Sequence, residues 1–98
     1  MALTQKQKRY LRGLAHKLKP VVMIGNAGIT ENIIKEMDSS LSHHELIKVR
    51  ISGMEREDRI LSTADLCKKT NSELVTTIGH IAVLYRASKK PQIKLPTE

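Results

Sequence analysis

Residues 21–34, VVMIGNAGITENII, put a turn bounded by two glycines, Gly25-Asn26-Ala27-Gly28, between an unbroken apolar run and an amphipathic pattern. That order calls for a strand, a tight reversal and a helix, and so sets the path of the chain through any fold it enters. Val21-Val22-Met23-Ile24 is apolar at every position and largely β-branched, which predicts a strand covered on both faces and central in its sheet. After the turn, Thr30 has the character of an N-cap, and Glu31 suits the positive end of a helix. Ile33, Ile34, Met37 and Leu41 supply the buried stripe of that helix. The two glycines also matter chemically. Without side chains they let a ligand backbone approach closely, and the helix start behind them directs N–H groups toward an anion.

Upstream, Thr4 and Gln7 have the spacing of a capping box and open a first helix. At about 100° per residue, Leu11, Leu14, Ala15 and Leu18 fall on one side, with Arg9, Arg12 and His16 roughly opposite. Gly13 lies on the polar side, at a cost of about 1 kcal/mol relative to Ala in a helix interior. Pro20 is expected to end the helix and to hold the residue before it extended.

Downstream, HELIKVRI alternates from about Leu46, so Ile47, Val49 and Ile51 should point to a core while Lys48 and Arg50 point to water. A third helix would turn Ile60, Leu61, Ala64 and Cys67 inward, and Leu66 falls off that stripe. Asn71 suits a left-handed helix stop. Glu73 to Ile78 and Ile81 to Arg86, separated by Gly79-His80, read as a hairpin. From Ala87 onward, with Pro91, Pro96 and three lysines, the chain reads as an extended and loosely held basic tail. The expected fold is a single α/β domain over residues 1–98, with a four-stranded mixed sheet, three helices and the order α-β-α-β-α-β-β.

The formal net charge of +7 is unevenly placed. Lys6, Lys8, Arg9, Arg12, Lys17 and Lys19 all precede the first acid, Glu31. An acid-free cationic segment repels itself, and a polyanion relieves that repulsion. Trp and Phe are absent, and Tyr10 and Tyr85 are the only aromatic rings of the Phe, Tyr and Trp class. That rules out the aromatic base-stacking platform of an RRM and leaves recognition through backbone and shape. Cys67 is solitary, so no internal disulfide can form. The N-terminal residues lack a secretory apolar stretch, and no segment has membrane-spanning length. A cytoplasmic location is therefore expected, and an organellar one is also compatible.

Signatures of other chemistries are missing. No Lys-Ser/Thr pair follows Gly28, the three glycines of a dinucleotide site are not present, and neither G-x-S-x-G nor H-E-x-x-H occurs. His43 and His44 are adjacent at a helix end and diverge, and Glu45, Asp58 and Asp65 show no acid–base pairing pattern. No catalytic residue, metal site or cofactor is expected. A KH domain also clamps RNA with a G-x-x-G loop, but there the loop joins two helices, whereas here it follows a strand.

The segments LRGLAHKLKPVVMIGNAGITENI, HELIKVRI, VLYR and IKLP, in that order between Lys6 and Pro96, resemble the CRM domain, and most closely its small stand-alone bacterial YhbY-like members. The resemblance implies an α/β fold similar to the C-terminal domain of bacterial translation initiation factor three. It also implies RNA binding, with association to precursors of the large ribosomal subunit. The family's glycine loop maps onto Gly25, Asn26, Ala27 and Gly28. Many CRM loops carry a basic residue between the glycines, where this chain has Asn26-Ala27, so a loop-borne salt bridge to phosphate is not expected.

The expected function is therefore binding of ribosomal RNA in large-subunit assembly, without a small-molecule substrate or a membrane. Gly25, Asn26, Ala27 and Gly28 would meet the sugar–phosphate backbone. Lys6, Arg9, Arg12, His16, Lys17 and Lys19 would neutralise it, helped by Lys48 and Arg50. Two alternatives are a module docking on ribosomal proteins with only nonspecific RNA affinity, and an RNA-modifying enzyme.

Overall fold

The computed structural model describes residues 2–97, so the two ends of the expected domain, Met1 and Glu98, lie outside it. The elements run α1 (Gln5–Ala15), β1 (Pro20–Ile24), α2 (Glu31–His44), β2 (Leu46–Ile51), α3 (Arg56–Thr70), β3 (Glu73–Ile78) and β4 (Ile81–Tyr85). This is the expected order. The sheet is mixed, with strand order β1-β2-β4-β3; β1 lies parallel to β2 and the other pairs are antiparallel.

The capping residues act as their chemistry dictates. Thr4 Oγ1 accepts from Gln7 N at 3.1 Å while Gln7 Oε1 accepts from Thr4 N at 3.0 Å, closing the capping box of α1. Thr30 Oγ1 accepts from Ile33 N at the start of α2. Asn71 takes the left-handed conformation, φ 59°, that ends α3. α1 stops at Ala15, earlier than Pro20 requires, and Pro20 instead begins β1.

Both faces of the sheet carry a core. On one, Val22, Ile24, Ile47, Val49, Ile51, Ala82 and Leu84 pack with Met37 and Leu41 of α2 and Leu66 of α3. On the other, Leu46, Val75, Val83 and Tyr85 pack with Leu3, Leu11 and Ala15 and with Ile93 and Leu95 of the C-terminal segment. This second core covers only the end of the sheet where β2 begins.

Four expectations fail here. Of the stripe expected on α1, Leu11 and Ala15 are buried, but Leu14 is exposed and so is Leu18, which lies past the helix end. β1 is an edge strand and is covered on one face only, with Met23 67% exposed. Continuous apolar sequence does not distinguish a central strand from an edge strand that carries apolar side chains on its open face. In α3, Ile60, Leu61 and Ala64 are exposed, Cys67 is half-buried, and Leu66 is fully buried beside Thr63 and Thr70. The threonines can face inward because each hydroxyl donates to the carbonyl four residues back, Thr63 to Arg59 at 2.8 Å and Thr70 to Leu66 at 2.7 Å. Counting them as polar rotates the apparent buried stripe.

The segment after Ala87 has no helix or strand but is pinned rather than loose. Glu45, only 2% exposed, sits in the left-handed region at φ 64° and gathers that segment around its carboxylate. Oε2 accepts from Ser88 N and Ser88 Oγ, both at 2.8 Å, and Oε1 accepts from Gln92 N and Ile93 N at 3.0 and 2.9 Å. Burial works to raise the pKa of this carboxyl group, and the four donors overcome it, so its pKa lies below the ordinary value of 4.5. Farther along, Pro96 O accepts from Gln7 Nε2 and Thr97 O from Lys6 Nζ. Arg86, just after β4, ties the C-terminal half of α2 to the end of α3 by donating to Asp38, Ser42 and Thr70 O.

Candidate functional site

Gly25 to Gly28 form a reverse turn at the end of β1, closed by Gly28 N donating to Gly25 O at 3.0 Å. Gly28 has φ +73°, a conformation that L side chains resist, whereas Gly25 does not. Apart from the adjoining residues, no atom lies within 4 Å of the place where a Cβ would stand on either glycine; Gly25 is exposed and Gly28 half-buried. The turn leans on the one that follows β2: Ser52 N donates to Ile24 O at 2.9 Å, and the Asn26 side chain lies against Gly53. Ile51 N in turn donates to His80 O, so the Gly79-His80 hairpin lies at the same end of the sheet. Asn26 thus turns its carboxamide toward Gly53 and supports the loop from behind.

α1 crosses the opposite end of the sheet. The pinned C-terminal segment occupies its flank bearing Lys6, Gln7 and Leu14, as the bonds to Pro96 and Thr97 and the proximity of Ile93 to Leu14 show. At about 100° per residue, the flank turned the other way, toward the uncovered half of the sheet, carries Lys8, Arg12 and His16, with Arg9 outermost. The side chains next along that sheet face are Lys48, half-buried, and Arg50, exposed. The face is therefore wet only at its Arg50 end, since Leu46 is buried beneath α1. Beyond Arg50 and its neighbour Met23, β1 runs into the glycine turn.

The selected residues thus divide. Lys48 and Arg50 share the open sheet face; the flank of α1 that carries Arg12 and runs on to His16 turns toward one end of it, with Arg9 outermost, and the glycine turn follows β1 at the other end. Lys6 is drawn to the C-terminal segment, and Lys19 lies beside Leu14, Leu18, Val21 and His44 on the far flank. Lys17 falls in the exposed connection after α1. Not among the residues selected from the sequence are Lys8, counted there only in the cationic run, and Met23, Gly53 and Ile78. Gly53 had a signal in its Ser-Gly pairing, and Met23 in its register one step from two buried neighbours. Among the described residues no three or more His, Cys, Asp or Glu side chains gather into a metal-binding group. None of the helices is long and apolar enough to cross a membrane.

Residues 3–86 match the CRS1/YhbY (CRM) domain family. The chain is 49% identical to a Haemophilus influenzae protein named "RNA-binding protein", covering 96% of this chain and 95% of that one. It is 44% identical to the Bacillus subtilis "Probable RNA-binding protein YqeI", covering 96% and 99%. The solution structure of the hypothetical protein SAV1595 from Staphylococcus aureus superposes with a TM-score of 0.84 at 47% identity, over 97% of this chain and all of that one. A glycine turn on a β1 edge, a mixed four-stranded sheet and a match through every helix and strand make this chain a member of the CRS1/YhbY (CRM) domain family.

Proposed function

We propose that this protein is a non-enzymatic RNA-binding protein that acts on ribosomal RNA during assembly of the large ribosomal subunit. Its relatives' names support the RNA, and the resemblance to YhbY-like proteins supports the ribosomal setting. What supports the mechanism is the pair of cations, Lys48 and Arg50, on the open sheet face, with the Arg12 flank of α1 toward one end of that face and the glycine turn at the other. Gly25 and Gly28 admit the sugar–phosphate chain at close range, while Asn26 and Ala27 form the crest between them. Glu31, in the first turn of α2, already satisfies the helix dipole, so the cations and the turn do the binding rather than the helix N-terminus. Lys6, Lys17 and Lys19 contribute long-range attraction.

The test is RNA affinity across a salt series. Each lost phosphate contact to a single strand flattens the log–log slope by about 0.7, so Arg9→Glu with Arg12→Glu should reduce it by about 1.4. An unchanged slope removes α1 from the footprint. Crosslinking in cells followed by sequencing of the attached RNA should recover large-subunit ribosomal RNA. An even spread over cellular RNA refutes the ribosomal assignment.

A further inference from the structure

We infer that the uncovered half of the sheet binds unpaired bases of single-stranded RNA, an assignment that rests on the RNA-binding reading above and adds the class of RNA to it. One row of side chains crosses all four strands: Met23 stands beside Arg50, Arg50 beside Ile81, and Ile81 beside Ile78. With strands about 4.8 Å apart, the row is about 14 Å long. Its two ends are apolar and open, Met23 at 67% and Ile78 at 60% exposure, and between them stand the exposed cation Arg50 and the half-buried Ile81.

Phosphate gains nothing from a methionine or an isoleucine, but the face of a nucleobase does. In a duplex those faces are hidden by stacking, and they become available where the strand is unpaired. Aliphatic side chains here would serve where aromatic ones usually do, and the Arg50 guanidinium can lie flat on a base or reach a phosphate. Charge fits the same occupant. Lys48 stands in the next row and the Lys8, Arg12 and His16 flank of α1 beyond it. Among the described residues of the strands on this face the only carboxylate is Glu73, at the far end. Continuity fits it too: Met23 is two residues from Gly25, so a strand gripped at the turn delivers its bases onto the row.

The experiment compares oligouridine with a duplex of equal length, by fluorescence anisotropy on the full chain. Wild type should prefer the single strand. Met23→Ser with Ile78→Ser, both on edge strands, should weaken single-strand binding by about tenfold, leave duplex binding within about twofold and leave the salt slope unaltered. In wild type, the Met23, Ile78 and Ile81 methyl resonances should shift on adding oligouridine, a readout that holds even if the double variant does not fold. Silent methyls, or equal affinity for single strand and duplex with a folded variant that binds as wild type, overturn this inference alone and hand the row to a protein partner. Failure of wild type to bind either RNA overturns the RNA-binding reading together with it.

Discussion

A Cβ on Gly53 would overlap Oδ1 of Asn26 and come within 3.2 Å of its Cγ. The crest of the glycine turn is therefore seated on the turn that follows β2, and the absence of a side chain at Gly53 is what lets it sit there. A residue more than 40 positions from α1's cations thus shapes the turn that is proposed to bind RNA with them.

Gly53→Ala should cost stability twice over. Its φ of +78° imposes about 1–2 kcal/mol on any L side chain, and the new methyl must displace Asn26. On an Asn26→Ala background the second cost disappears. Urea unfolding of the two single variants and the double variant should give a coupling energy of about 0.5 kcal/mol or more. Strict additivity would mean that the two turns do not support each other.

The two loop glycines should behave differently. Gly25 has ordinary dihedral angles and open space where a Cβ would stand, so Gly25→Ala should leave the melting temperature unchanged. Gly28→Ala forces a side chain into the left-handed region and should cost about 1–2 kcal/mol. Gly25→Ala is thus the clean probe of close approach. Weaker RNA binding in that fully stable variant is the expected result, and unaltered binding would remove the need for a bare backbone there.

Glu45 makes the C-terminal segment sensitive to acid. Its folded-state pKa is lowered, so the stability it contributes is fully present above the ordinary value of 4.5 and is lost as pH falls through the folded value. Glu45→Gln keeps the shape but turns an amide N–H₂ toward donors that need an acceptor. It should destabilise the fold at neutral pH by about 1.5–3 kcal/mol. Denaturant melts between neutral pH and pH below 4.5 should show the gap between wild type and variant closing as the pH drops. A constant gap would show that the charge on Glu45 is not what holds Ser88, Gln92 and Ile93.

The elements whose information is local were legible in the sequence. The Thr4–Gln7 box, the Thr30 cap, the Asn71 stop and the Gly79-His80 hairpin are each decided within a few residues, and all stand where their chemistry puts them. What depended on distant partners was not legible. Whether Val21 to Ile24 lies at the edge or the centre is set by which strands pair, and the run of apolar residues is the same in either place. The C-terminal segment looks free because its anchor, Glu45, is more than 40 positions away and reads as one more surface acid. The candidate site shows the same division: Arg9, Arg12 and the glycine turn were visible as patterns, whereas Lys6 and Lys19 were separated from them by the docking of that segment. Met23 and Ile78 emerged only once β1 and β3 were known to be the two edges.

Gly13 offers a last discrimination. It is a helix-interior glycine with nothing within 4 Å of a would-be Cβ, and its φ is not in the left-handed range. Gly13→Ala should therefore stabilise the protein by up to about 1 kcal/mol. At about 100° per residue it falls beside Arg9 on the outer crest of α1 rather than on the Lys8 and Arg12 flank; the long Arg9 side chain reaches past a methyl there, so the substitution should not disturb RNA lying over the open half of the sheet. The expected outcome is a higher melting temperature with unchanged affinity and salt slope. A stabilised variant that binds RNA more weakly would move the path of the strand onto the outer crest of α1, since no loss of fold could account for the change.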